Sequence, residues 1–362
     1  MLGAQPVQGI LSFHPVDPDF FQGLIEPLVA GRKVNPEEYL DAARACRVPA
    51  WRTSQYVHLL ESLRLEMSPP PPAPDASRWQ KARAWMERID HRPGPLVKAV
   101  ARAVDPDLHL RGRPFFVTED SPEKVASVVD DYLGAGTPAA VDLLVRGQLS
   151  RLDPDLAEQV RLDADQGSGW DGADRAALLD RLRGVRDLAR AALVGETWSD
   201  RGGRPEAARE VLSRELPWRA VSLHSRAAPF WIARDVDGLG ELCRAAGVES
   251  PDCLIPAWCL FPAACETFPR LQEALTMDVR RPGDVGGYVP PGRVEELLEF
   301  LACCGAVIIR AATRAGEGPA CSMLLKKIRE CARYALRRGR GYLEASGIVP
   351  AGVEEREDGR MR

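Results

Sequence analysis

The sequence predicts a mostly α chain: an N-terminal helical region followed by a C-terminal helical domain with a few short strands (α+β). Three observations carry this. Apolar residues recur every three or four positions along most of the chain, the repeat of a helix face. Several of these runs open on a capping residue followed by proline, as at Asn35-Pro36, Ser121-Pro122, Thr137-Pro138 and Asp153-Pro154. The cap supplies a side-chain acceptor, and proline in the first turn gives up an N–H that has no helical partner there. Runs suited to strands are few and short.

Taken in order, Gly9 to Phe13 reads as a short strand, and His14-Pro15-Val16-Asp17-Pro18-Asp19 as a turn-rich loop, because each proline holds its predecessor extended. Tyr39, Leu40, Ala43 and Cys46 share one face of the helix begun at Asn35. Thr53 or Ser54 caps a second helix with Tyr56, Leu60, Leu63 and Met67 at helical spacing. Residues 68–77 hold four consecutive prolines and read as a Pro-rich linker or loop in polyproline II form. Helices follow at Trp79–Ile89 and Leu96–Val104, and a strand at Arg113–Thr118. The three later cap-proline pairs are sixteen residues apart, a period too short for a helical solenoid, so they read as three short packed helices.

The polar, Gly-rich stretch 163–174 marks a second boundary. Beyond it, Ala177 to Leu188 is helical, a shorter helix starts near Pro205, and Ala220–His224 reads as a strand with alternating faces. Short helices are expected at Leu239–Ala246 and Phe268–Leu275. Pro291 opens a further one through Leu301, with Gly305 separating it from the apolar Ala306–Ala312. A long helix runs from about Pro319 to Arg338, and Gly341–Glu344 returns as a closing strand. The organisation expected is a helical segment 1–67, the linker 68–77, a helical domain 78–166, an α-rich domain with a small β element 167–353, and a charged tail 354–362.

Hydrophobic residues make up 45% of the chain and charged residues 28%, enough to bury a sizeable core. The formal net charge of −4 argues against binding nucleic acid along the whole length, so any such role needs a local patch. The lack of an apolar run of about 18 residues predicts no membrane span, and the first residues lack the basic and apolar regions of a leader. The nine cysteines form no paired framework and read as reduced thiols of a cytoplasmic protein. The excess of Arg over Lys, with abundant Ala, Gly and Pro, fits a GC-rich bacterial coding sequence.

Known catalytic signatures are missing. There is no Walker A loop, no H-E-x-x-H, no C-x-x-C and no G-x-S-x-G. Gly167-Ser168-Gly169-Trp170-Asp171-Gly172 matches G-x-G-x-x-G, with Asp187 twenty residues on. The acidic, loop-like residues before it are not the strand that a dinucleotide site requires, so it reads as a flexible turn. Ser222 and His224, two apart on the expected strand, share a face and with Arg226 are the candidate catalytic group. His14, Asp17 and Asp19 offer an imidazole and two carboxylates in one loop, and Cys253, Cys259 and Cys265 offer three thiols, as weak metal candidates. Six residues turn a helix by about 240°, so those thiols need a chain break to converge. No metal and no cofactor are expected, and Cys303-Cys304 has nothing placed to stabilise a thiolate.

The C-terminal helix is the most asymmetric segment. Leu324, Ile328, Cys331 and Ala335 form one apolar stripe, while Lys326, Arg329, Arg333, Arg337 and Arg340 recur on another face. Lys327 and Arg338 add to the charge, and Glu330 is the only acid between 326 and 340. The bland reading is a solvated face, helped by the helix dipole and by Glu295, Glu296 and Glu299 nearby. The sharper one is an anionic partner: an acidic protein surface before nucleic acid, because only Tyr334 and Tyr342 are near for base stacking. The function expected is a non-enzymatic cytoplasmic interaction protein (regulatory, adaptor or toxin-neutralising). The alternatives are an enzyme with a site where the two halves meet, and a small-molecule or metal-binding module.

Overall fold

A computed structural model of the protein describes residues 9–66, 122–151, 157–158, 160–162, 170–199, 204–234, 237–275, 277–279 and 281–348. The readings at 68–77, 79–104, 113–118, 153–154 and 354–362, and most of the Gly-rich loop, lie outside them. The chain is mostly α with a few short antiparallel strands. It divides into two compact units, residues 1–43 with 171–362, and residues 44–170.

The first unit is built on a four-stranded sheet. Its strands are β1 (Ile10–Val16), β4 (Trp231–Arg234), β5 (Val285–Val289) and β6 (Gly341–Ser346), in the order β4-β1-β6-β5. The pair missing from that numbering, β2 (Thr197–Trp198) and β3 (Glu206–Ala207), forms a separate two-stranded ribbon. Every neighbouring pair in the main sheet is antiparallel, with Phe13 opposite Glu344 and His14 opposite Leu343. All of β1 and β5 is buried, as is β6 up to Ala345. Side chains alternate across a strand. Phe13, Tyr342 and Glu344 therefore share one face, and Ser12 and His14 the other.

Four expectations are corrected here. His14, Pro15 and Val16 belong to β1, and Pro18–Phe20 is already helical, so the loop reading of 14–19 fails. Extended backbone is what the prolines require, and a strand satisfies them as well as a loop does. Ala220–His224 lies inside the helix Ala208–Ala227, which tolerates Pro217 internally. That segment is buried on nearly every side, so no helical polar/apolar alternation was visible in it. The helix Glu37–Glu66 is continuous through Pro49, where two helices were expected. Gly305 sits within one helix, Val294–Arg314. A Cβ there would stand 3.8 Å from the side chains of Leu325 and Arg329, so the position marks close approach of the neighbouring helix.

Other elements match their expected spans within a residue or two: helices Leu239–Ala246, Pro269–Ala274 and Gly318–Arg337, and the closing strand β6. The helices Val294–Arg314 and Gly318–Arg337 form a hairpin, and the second of them packs against the sheet. Leu297, Leu301 and Ile308 of one, and Leu324, Leu325, Ile328 and Cys331 of the other, are buried. Each such aliphatic side chain contributes about 1.5–3 kcal/mol when fully buried.

In the second unit, helices Pro122–Gly134 and Pro138–Ser150 start where the cap-proline pairs predict, and the Thr137 hydroxyl accepts from Ala140 N–H. Its centre is a fully buried Arg52, which grips Asp142 with Nε at 2.7 Å and a terminal nitrogen at 2.9 Å. Tyr56 donates to the same carboxylate at 3.0 Å. Tyr132, Val141, Val145 and Leu149 pack as the apolar core of this unit.

Candidate functional sites

The catalytic candidates do not assemble. Ser222 and His224 are two apart on a helix, about 200° round its axis, so they do not share a face. The Ser222 carbonyl accepts from the Ser225 hydroxyl. His224 is buried with its ring against Phe20 and Phe21, at 5.2 and 5.6 Å. Its Nε2 accepts from the Asp17 backbone N–H at 3.5 Å, leaving Nδ1 buried without a hydrogen-bond partner. Arg226 is half-buried beside it in sequence.

His14 lies on the facing side of the sheet and is fully buried. The Ser12 hydroxyl donates to the Ala345 carbonyl at 2.9 Å, so it accepts from His14 Nε2–H at 2.8 Å. The ring stacks on Phe230 at 5.0 Å, and its Nδ1 has no partner. Burial pushes the His14 imidazole down to about 3. His224 is held well below the usual imidazole range, chiefly by burial, then by the charge of Arg340 and by His14. Both are neutral core histidines.

The metal candidates are likewise dispersed. Among the described residues no group of three or more His, Cys, Asp or Glu side chains could hold a metal ion. Asp17 caps the short helix Pro18–Phe20 by accepting from Asp19 N–H. Cys253 and Cys265 are buried and Cys259 half-buried, all three thiols raised above the ordinary range, mainly by burial. None of the nine cysteines is in a disulfide.

The cationic face of the helix Gly318–Arg337 is sorted by the packing. Lys327 turns inward and donates to the Ile232 carbonyl at 2.6 Å. Arg329 is half-buried and reaches the Leu301 carbonyl at 3.5 Å. Arg338 lies over the Tyr334 ring at 5.6 Å. Arg340 is half-buried and near enough to act on His224. Lys326, Arg333 and Arg337 remain exposed. They fall within about 40° of one another around the helix axis, and about 150–170° from the centre of the buried stripe.

Sequence reasoning missed a second feature. Glu344, 1% exposed on the central strand β6, forms part of the wall of a cavity of about 490 Å³. The Tyr342 hydroxyl donates to its Oε1 at 2.8 Å, and the Leu239 N–H, first in its helix, donates to Oε2 at 3.2 Å. Burial pushes this carboxyl up to about 7, against the pull of those two hydrogen bonds, and Asp278 adds a smaller upward push. The signal was present in Gly341-Tyr342-Leu343-Glu344: an acid two residues from a tyrosine on one face of an otherwise apolar strand.

Among the described residues no helix is long and apolar enough to cross a membrane. No family model, no curated protein and no solved structure matches this chain.

Proposed function

We propose that the protein is a cytoplasmic, non-enzymatic interaction protein that holds an acidic protein partner on the outer face of its C-terminal helix. One observation carries the reading. Lys326, Arg333 and Arg337 stand exposed on one line, while the opposite side of the same helix is anchored by Leu324, Ile328, Cys331 and Ala335 in the core. The side chains are thus presented from a rigid element, and a complementary acidic surface gains both steering and register from such a row. Glu330, half-buried, is the acid on the same helix. Nucleic acid is disfavoured because the nearby aromatics, Tyr334 and Tyr342, are buried and offer no stacking platform. Nine cysteines outside any disulfide suit a reducing compartment. The enzyme reading based on Ser222, His224 and Arg226 draws no support from this geometry, because the imidazole is walled in by phenylalanines.

The test is co-purification of the tagged full-length chain from its own cells, wild type beside the double variant Arg333→Glu, Arg337→Glu. The expected result is one partner at near-equal stoichiometry, eluted by raised salt and lost from the variant, with the circular dichroism of the two chains the same. Equal recovery of that partner by both chains would reject this face.

A further inference from the structure

The cavity beside Glu344 is walled by acids and by small residues from several elements. Asp237, Glu241 and Asp278 line it together with Glu344, and Arg281 is the one basic side chain among its described lining residues. Arg244, outside the wall, bridges Glu241 and Asp278.

Two features separate this from a solvated acidic patch. The first is that Glu344 is fully buried and makes no ion pair among the described residues, its partners being a hydroxyl and one backbone N–H. Buried carboxylates are ordinarily matched by a cation, since the charge is costly to leave uncompensated in a low-dielectric site. The second is the backbone around the carboxylates. A Cβ at Gly238 would stand 2.7 Å from Glu344 Oε2, and one at Gly240 would stand 3.3 Å from Asp278 Oδ1. At Gly287, where φ is +61°, a Cβ would meet the Glu344 side chain at 3.3 Å. The glycine backbone thus closes directly onto the Glu344 and Asp278 carboxylates, which holds both acids in place at the cavity wall.

We propose that this cavity binds a small organic cation carrying a primary ammonium group, with Glu344 as its counter-ion and Asp278 as a second acceptor. The volume, about 490 Å³, lies in the range of small-molecule sites. An ammonium supplies three donors and the positive charge that the floor of the cavity lacks. The acids reach the cavity from β6 and from separate segments around 237–241 and 278, and form no close ligand set for a metal ion. The site is independent of the cationic helix face.

Isothermal titration calorimetry of the full-length protein with ethanolamine, putrescine and agmatine tests this. At least one amine should saturate one site at pH 8. Affinity should fall at least ten-fold at pH 5.5, where Glu344 is protonated, and at least ten-fold in Glu344→Gln. Near pH 7 the heat should vary with buffer ionisation enthalpy, because binding expels the Glu344 proton. Should Glu344→Gln fail to fold, Gly240→Ala, which crowds Asp278, should weaken the same amine at least five-fold. Absence of binding by all three amines overturns the proposal. So does unchanged affinity in a folded variant, or saturable Mg²⁺ binding in place of any amine.

Discussion

Two buried acid–base groups pull the stability of the first unit in opposite directions with pH. His14 stays neutral in the fold down to about 3, whereas the ordinary imidazole protonates near 6.5. Below 6.5 the unfolded chain therefore holds the extra proton, and stability is lost as pH falls from 6.5 toward 3. His224 is shifted in the same direction. Glu344 is raised to about 7 from 4.5. Between those values the folded chain holds the extra proton, so its contribution is present below 4.5 and lost as pH rises through 7. Urea midpoints measured from pH 4 to 8 should show both limbs. His14→Gln should flatten the acid limb and Glu344→Gln the neutral one. An acid limb unaltered in His14→Gln would contradict the burial of that ring. A residue-level reading of the sequence could not reach these shifts. His14 and Glu344 lie on neighbouring strands from opposite ends of the chain and face opposite sides of the sheet, Phe13 pairing with Glu344 and His14 with Leu343, and burial set by pairing at that range leaves no local pattern.

The elements were legible where a strong period coincided with a cap. The helix Gly318–Arg337 shows a clean apolar stripe, and the four residues the spacing names, Leu324, Ile328, Cys331 and Ala335, are all buried. Within the helix Ala208–Ala227, residues 220–224 read as a strand because burial of every one of them erases the contrast between faces, and β4 and β5 carry no apolar–polar alternation in their short sequences. Truncation of the two faces of the C-terminal helix should give unequal costs. Ile328→Ala should destabilise by about 2–5 kcal/mol, while Arg333→Ala should stay within about 0.5 kcal/mol, both read from chemical unfolding. Equal costs would mean that the cationic side is not the outer one. In the second unit, Asp142→Ala strands the buried Arg52 guanidinium and should cost about 3–5 kcal/mol. Replacing both residues with apolar ones should restore much of that.

At the scale of the molecule, the charge balance and the fold make a consistent pair. An acidic chain, −4 overall, aligns three exposed cations on the C-terminal helix and gathers buried or cavity-lining acids around one strand. The candidate face was readable in the sequence because it is local to fifteen residues. The cavity was not, because its wall is gathered from segments between Gly9 and Ser346.

The most direct measurement is site-specific crosslinking. A photo-reactive side chain at position 333 of the full-length protein, illuminated in its own cells, should join it to an acidic segment of the same partner that co-purifies with the wild type. An identical substitution at the exposed Glu299 of the preceding helix should yield far less. Adducts from 299 but not from 333, or a captured segment rich in Lys and Arg, would contradict the account.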